Sequence, residues 1–248
     1  MKINIGLIGY GNIGKKIYNH LLEYKEIKNI YVLKKKKIKI NPSIYTNEKE
    51  FFNKKFKYCF VATPINTHFK FLKKLINKNK NILVEKPIVN NFKELKEIKK
   101  IKKNYNVNYI DLYNPSFNLL AKDVKRVKKI EKINITIKKY QNIYKSKIDF
   151  KSISRLPFFD WLPHPLASIF ALLNEKPKIV SISNKFSKRK NFIYQKLKLI
   201  FKIKNIKINL FFSNNSKKPV RNIKIFSKKE KFFYYSHKDY ENISITKS

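Results

Sequence analysis

Glycine, cysteine and acid are scarce in this chain of 248 residues. A single cysteine, Cys59, excludes a disulfide framework and any cysteine-based zinc site, and no metal is expected. Four glycines and nine prolines exclude a collagen-like or linker-like chain. No apolar run approaches the roughly 18 residues of a membrane span. The first apolar stretch is short and runs into glycines, unlike the core of a secretion signal. The expectation is a soluble cytoplasmic protein with no membrane partner. Asp and Glu number 16 against 58 Lys and Arg, a net charge of +42.

Hydrophobic residues make up 43% and aromatics 15%, enough for a real core in one large domain or two small ones. The charge invites a nucleic-acid reading, but only Arg126, Arg155, Arg189 and Arg221 are arginine, and base readers favour its bidentate fork. Alanine is as rare as glycine, while Lys, Asn and Ile, whose codons are rich in A and T, crowd every segment. The lysines are spread along the chain, so the charge reads as composition bias on solvated faces. No specific nucleic-acid partner is expected. The charge should still draw anionic small molecules in a salt-dependent way.

Periodicity divides the chain. Ile3–Ile8, Ile30–Leu33, Lys57–Thr63, Asn81–Val84 and Asn106–Asp111 read as strands. Between them, helical spacing appears at Ile13, Ile17, Leu21 and Leu22, over Thr67–Asn77, which Asn79 should end, and over Asn91–Lys103. Alternating strands and helices imply a parallel sheet. After Asn114-Pro115 come a helix near Leu119–Lys128, a strand at Lys132–Tyr140 and a helix over Pro163–Leu173. Five strand-like segments follow, from Lys178 to Ser236, and predict an antiparallel sheet. The expected fold is α/β: a domain with a parallel sheet over 1–114 and an α+β domain with an antiparallel sheet over 115–248. Apolar residues of the later strands, among them Leu199, Phe201, Leu210, Phe211 and Phe212, suggest that one face of this sheet is covered by a second copy, making a homo-oligomer.

All four glycines lie in the first 14 residues. Chance would do this about once in 10⁵ trials, so the placement carries information. Gly9-Tyr10-Gly11-Asn12-Ile13-Gly14 is a G-x-G-x-x-G set between a strand and a helix. The first glycine permits the tight turn, the second lets backbone approach a pyrophosphate, and the third lets helix pack on strand. The helix N-terminus then faces the phosphates. Where the second strand of such a fold ends in a carboxylate that holds the ribose of NAD, this chain has Lys34, followed by Lys35, Lys36 and Lys37. Lysine attracts a 2′-phosphate, so NADP is favoured over NAD.

The third and fourth strands end in Thr63-Pro64-Ile65-Asn66-Thr67-His68 and Glu85-Lys86-Pro87, at the carboxyl ends where ligands of parallel sheets bind. With the glycine set, Ala62-Thr63-Pro64 and Asp160-Trp161-Leu162-Pro163-His164, these segments resemble the glucose-fructose oxidoreductase and inositol dehydrogenase (Gfo/Idh/MocA) family over about residues 3–175. The resemblance implies an N-terminal NAD(P)-binding Rossmann domain, a C-terminal α+β domain with an open antiparallel sheet and hydride transfer at a hydroxyl or keto carbon of a sugar, polyol or sugar nucleotide, with a link to surface polysaccharide synthesis. It further implies that Lys86 binds the reacting oxygen, that His164 is the acid/base and that Asp160 assists it. The cofactor would rest on Gly9, Tyr10, Gly11, Asn12, Ile13, Gly14, Lys34, Thr63, Pro64, Asn66, His68, Glu85 and Lys86.

Residue chemistry is compatible with these roles. Imidazole titrates near neutrality and suits proton exchange with an alcohol, and an ammonium group stabilises charge on the same oxygen. Each residue also has a plainer reading. Asp160 serves equally as a helix cap, His164 as a structural histidine, His68 as a turn closer and Trp161 as packing. The chain departs from the family pattern at Leu162 and Ala167, where the family usually has glycine and a carboxylate, and it is shorter than most members. A catalytically silent dinucleotide-binding sensor or scaffold is therefore the alternative function.

Overall fold

The computed structural model describes residues 2–35, 44–78, 80–101, 105–127, 129–144, 157–228, 230–235 and 243–247. Asn79, Lys36 and Lys37 lie outside them. The chain forms two compact units, residues 1–108 and 109–248.

The first unit is a six-stranded parallel sheet with β1 (Ile3–Ile8), β2 (Ile27–Leu33), β3 (Ile44–Tyr45), β4 (Tyr58–Val61), β5 (Asn81–Glu85) and β6 (Tyr105–Asn108), in the order β3-β2-β1-β4-β5-β6. The order reverses beside β1, so a crevice opens at its carboxyl end. Both faces are covered. Ile5, Leu7 and Val32 pack with Tyr18 and Leu21 of α1 (Asn12–Leu21). Ile8, Leu33 and Val61 pack with Phe51 of α2 (Glu48–Phe52) and with Leu72 and Leu75 of α3 (His68–Asn77). Helix α4 (Phe92–Ile98) adds Ile98 and is capped by the Asn91 side chain, which accepts from the Glu94 N–H at 2.9 Å. The sequence pattern misplaced the inner stripe of α1. Ile13 and Leu22 are 45% and 60% exposed, and the buried line is Gly14, Tyr18 and Leu21. The expected fifth strand is shorter than its apolar run, because the chain turns into a 3₁₀ segment at Ile110–Tyr113.

In the second unit α5 (Pro115–Arg126), α6 (Pro157–Trp161) and α7 (Pro163–Leu173) accompany an eight-stranded sheet. Its strands are β7 (Ile130–Tyr140), β8 (Ile143–Tyr144), β9 (Lys178–Arg189), β10 (Phe192–Ile203), β11 (Ile206–Ser213), β12 (Asn215–Ser227), β13 (Glu230–Tyr235) and β14 (Ile243–Lys247). The order is β14-β13-β12-β7-β11-β10-β8, with β9 on β10. The sheet is mixed: β7 and β11 run parallel and the other pairings are antiparallel. Two-residue turns at Lys190-Asn191 and Lys204-Asn205 join β9–β10–β11, with positive φ at each lysine.

Alternation governs the middle of this sheet. Ile133, Ile135 and Ile137 of β7 point inward with Phe201, Leu210, Phe212 and Ile225, onto Leu120 of α5 and Ile169 of α7. Of the five apolar residues expected to form an outer patch, Phe201, Leu210 and Phe212 are buried in this core and Leu199 packs against it. Only Phe211 points outward, because the period of two sends neighbours to opposite faces. Exposed apolar residues of this sheet include three on β9, where Ile179, Val180 and Ile182 are 60%, 55% and 59% exposed.

Candidate functional site

The glycine turn shows which glycines the fold itself requires. Gly9 has φ +99°, and a Cβ there would stand 2.4 Å from the Ala62 carbonyl oxygen. A Cβ on Gly14 would stand 2.2 Å from the Gly9 carbonyl oxygen. Gly11 differs: it has ordinary φ of −79°, and a Cβ would meet nothing within 4 Å. The open space lies at the start of α1, where no side chain caps the helix and no acid stands in the first turn. The orphan N–H groups and the positive end of the helix dipole therefore face out past exposed Asn12 and Ile13. This cradle fits a pyrophosphate. The Tyr10 side chain turns the other way, buried with Tyr18 at 5.5 Å between ring centroids, which leaves its backbone to the turn. Lys34 follows β2 and holds its ammonium 5.8 Å from the Tyr10 ring centroid, beside the same turn.

Two further strand ends share that edge. Gly9 N–H donates to Leu33 O at 2.9 Å, and Ala62 N–H to Ile8 O at 2.8 Å, which ties the ends of β2, β1 and β4 together. The Thr67 hydroxyl lies 2.7 Å from the Thr63 hydroxyl and 2.8 Å from the Pro64 carbonyl, while Asn66 is exposed. His68 is 2% exposed, with Nε2 at 2.7 Å from Thr63 O and Nδ1 at 2.8 Å from Pro87 O. Both partners are acceptors, so a neutral ring satisfies one and a doubly protonated ring both. His68 thus stitches the turn after β4 to the turn after β5. Glu85 accepts from Asn108 Nδ2 at 2.6 Å, and half-buried Lys86 follows it through a cis bond to Pro87. Cys59 is buried within β4, and burial pushes its thiol up, as suits an inert core residue.

The second unit carries the Asp160–His164 segment. Asp160 lies in α6 and His164 in the first turn of α7, with Leu162 between the helices. Pro163 and Pro165 have no N–H for the carbonyls of Phe159 and Trp161, so the ladder breaks although Leu162 keeps helical dihedrals. The Asp160 side chain lies outside the described residues. His164 is 7% exposed, packed edge-on against Tyr109 at 6.4 Å. Its carbonyl accepts from the Ser168 hydroxyl at 3.2 Å. Burial raises the Tyr109 phenol above its ordinary value.

Behind this segment is a charged cluster that sequence reasoning missed. Arg221 of β12 pairs with Asp111, their side chains only 12% and 8% exposed. The Trp161 ring has the Lys139 ammonium at 4.1 Å and the Arg221 guanidinium at 5.7 Å. Burial raises the Asp111 carboxyl, and Arg221 draws it back only in part. Trp161 of α6 is therefore engaged by two cations from the sheet, Lys139 of β7 and Arg221 of β12. The scarcity of arginine was the available signal, since an Arg among so many lysines marks a place where a planar fork is needed.

A parallel sheet of this order with a glycine cradle at its central strand defines a dinucleotide-binding unit. Residues 3–111 match the Gfo/Idh/MocA model, described as an oxidoreductase family with an NAD-binding Rossmann fold. Over these residues, fewer than half of the chain, the first unit is similar to that family of oxidoreductases. Solved structures extend the likeness to the second unit. The dehydrogenase MviM from Clostridium difficile is 20% identical, with TM-score 0.73, over 100% of this chain and 84% of that one. Myo-inositol 2-dehydrogenase from Lactobacillus plantarum is 15% identical, with TM-score 0.78, over 100% and 82%. A myo-inositol dehydrogenase from Corynebacterium glutamicum is 16% identical, with TM-score 0.76, over 95% and 75%. At these identities the likeness is one of fold. No match was found among curated proteins.

Proposed function

We propose that this oxidoreductase moves a hydride between NAD(P) and a hydroxyl or keto carbon of a sugar, polyol or sugar nucleotide. The observation that carries the reading is Gly11, the one glycine of the turn whose missing side chain leaves open space over a helix N-terminus. The bound cofactor would supply the hydride acceptor or donor at its nicotinamide ring. Residues 1–114 are taken as the cofactor domain and 115–248 as the substrate domain. Lys86 donates a hydrogen bond to the reacting oxygen and stabilises its developing charge. His164 takes the hydroxyl proton in oxidation and returns it in reduction, with Asp160 assisting. Thr63, Pro64, Asn66 and Glu85 line the cofactor crevice, and His68 holds its two turns in register. Lys34 beside Tyr10 favours NADP, because its ammonium can pair with a 2′-phosphate. Self-association is assigned to the edge strand β9, whose apolar residues are exposed; light scattering of Ile182→Lys against the parent chain measures it.

Calorimetry with NADPH on Gly11→Val tests the cofactor site, and unchanged affinity would remove it. Turnover on a panel of sugars and polyols, with Lys86→Ala and His164→Ala, tests the chemistry. Each variant should lose about 10²-fold in kcat, and the double variant less than the product, since both groups serve one transition state. NADPH binding without turnover on any substrate would leave a silent dinucleotide binder.

A further inference from the structure

The inner face of the second sheet changes character at one end. Along β7 the inward residues are Ile133, Ile135, Ile137 and then Lys139, which is 7% exposed. Along β12 they are Ile225, Ile223 and then Arg221, which stands opposite Ile137 in the register. Two neighbouring isoleucine stripes therefore end in a cation on the same side of the core. Burying an ammonium and a guanidinium is expensive, and apolar residues of similar size would stabilise a core at least as well. The pair thus points to a positional role and not to core stability. What the two cations share is Trp161, with the Lys139 ammonium at 4.1 Å and the Arg221 guanidinium at 5.7 Å from its ring centroid.

Trp161 ends α6, and His164 stands three residues on, across the break into α7. The backbone holds this junction on one line only. Leu162 N–H reaches Phe158 O at 2.7 Å, and Leu166 N–H reaches Leu162 O at 3.3 Å. Pro163 and Pro165 supply no N–H to the Phe159 and Trp161 carbonyls. A helix with such gaps kinks there, and side-chain packing sets the angle. The start of α6 is tied down separately. Phe158 N–H donates to Gln195 Oε1 at 3.3 Å. Gln195 is 1% exposed, and its N–H donates to the side-chain oxygen of Asn214, whose amide holds the Gln141 carbonyl at 3.1 Å. Buried amides of this kind cost too much to leave unpaired for the anchor to drift. With its start on Gln195 and its end under two cations, α6 is fixed to the sheet at both ends.

We propose that Trp161, held on the sheet by Lys139 and Arg221, is a positioning residue for His164: this clamp, and not the helix ladder, sets where the imidazole stands. The inference rests on the reading of His164 as the acid/base and names what holds that group. All four residues lie within the second unit. Two other contacts restrain His164 itself, the edge-on Tyr109 ring at 6.4 Å and the Ser168 hydroxyl on its carbonyl at 3.2 Å. Neither belongs to α6, so the link from His164 back across the break runs through Trp161. A cation over an indole face holds the ring in one orientation, which apolar packing does less well. The demand for such a hold is real, since proton transfer needs a reach of roughly 3 Å. A misplacement of about 1 Å costs on the order of 10²-fold in rate.

The chain has one tryptophan and four histidines, so both ends of the clamp can be watched in the full chain. Without ligand, the His164 imidazole NMR signals, assigned with His164→Gln, should move in Lys139→Gln and in Trp161→Leu. Those of His20 and His68 should stay in place. Trp161 emission should change in Lys139→Gln and return in Lys139→Arg, which keeps a cation over the ring. In turnover, Lys139→Gln should lower kcat about tenfold with KM within about threefold, and Lys139→Arg should restore it. Trp161→Leu should lose up to about 10²-fold. Trp161→Leu with His164→Ala should lose no more than His164→Ala alone, because the indole acts through the imidazole. NADPH affinity should be unchanged throughout. Matched unfolding midpoints separate loss of the clamp from loss of the fold, and Lys139→Gln carries the test if Trp161→Leu does not fold. Unmoved His164 signals in a folded variant overturn the proposal, as does a further loss in the double variant. If His164→Ala kept full turnover, the acid/base reading would fall, and the imidazole signals would still decide the positioning.

Discussion

The two sheets use the same residues under different rules. In the parallel sheet of the first unit Gly6, Leu7 and Ile8 of β1 are all buried in succession, because helices cover both faces. In β7 of the second unit Ile133, Ile135 and Ile137 are buried, while Asn134, Thr136 and Lys138 between them are not. A two-sided sheet has no free face, so its chemistry moves to the strand ends. The glycine cradle, Lys34, Thr63, Glu85 and Lys86 all sit there. A one-sided sheet commits only its inner face to the core.

Single charges placed on neighbouring residues should expose this difference most strongly. Leu7→Lys and Ile8→Lys should each unfold the first unit, since either buries an unpaired ammonium. A cost of more than about 4 kcal/mol is expected. Ile135→Lys should do the same to the second unit, whereas Thr136→Lys, one residue on, should stay within about 0.5 kcal/mol of the parent. Urea titration measures all four. If Thr136→Lys were as damaging as Ile135→Lys, the outer face would be covered by something else.

The next effect concerns the charge that the second core does bury. Arg221→Met leaves the Asp111 carboxylate without its guanidinium and should cost about 3–5 kcal/mol. Arg221→Met with Asp111→Leu removes both charges and should recover most of that loss. Failure to recover would mean that Arg221 acts mainly through Trp161, over whose ring it lies at 5.7 Å.

How much of this was legible follows from the same contrast. Strand–helix alternation and the glycine set are local signals, so the first sheet and its cradle could be read from the chain. Short pieces could not: β3 and α2 have only two and five residues, too few to show a period. In the second unit the strands from β9 to β13 were readable, but pairing was not. The parallel contact of β7 with β11 joins segments far apart in sequence, and nothing local announces it. The inward direction of Leu199, Phe201, Leu210 and Phe212 required only a count by twos along each strand, starting from a residue known to be buried. Asn214 and the Arg221–Asp111 pair were invisible because each depends on partners from other strands or loops.

A smaller effect separates the units by pH. In the first unit, burial tends to raise the Glu48 carboxyl, but the hydrogen bonds from Lys70 and Lys74 outweigh it and hold the group below its ordinary value. A lowered folded-state value gives stability that is present above the unfolded value, near 4.3, and lost as pH falls through the folded one. Glu48→Gln should therefore cost about 1 kcal/mol or less at pH 7, given its partial exposure. Parent and variant should converge in acid. A gap that persisted there would assign the loss to packing instead.

The least effect belongs to the hairpin that joins β9 to β10. Lys190 has φ 52°, a left-handed conformation that costs a residue with a Cβ up to about 1–2 kcal/mol. Asn adopts it more readily, because its short polar side chain bonds locally. The two-residue turn needs positive φ to match the twist of its strands, so the strain is set by the hairpin and not by lysine. Lys190→Asn should raise stability by about 0.5 kcal/mol without altering the strand register. The effect should be confined to the second unit, since the first unit joins its strands through helices and longer connections. Hydrogen exchange of the β9 and β10 amides would locate it: slower exchange there, with β1 and β4 unchanged, is the expected result. Equal slowing in both units would mean that they unfold as one, and the contrast between the two sheets would then end at their faces and not extend to their stability.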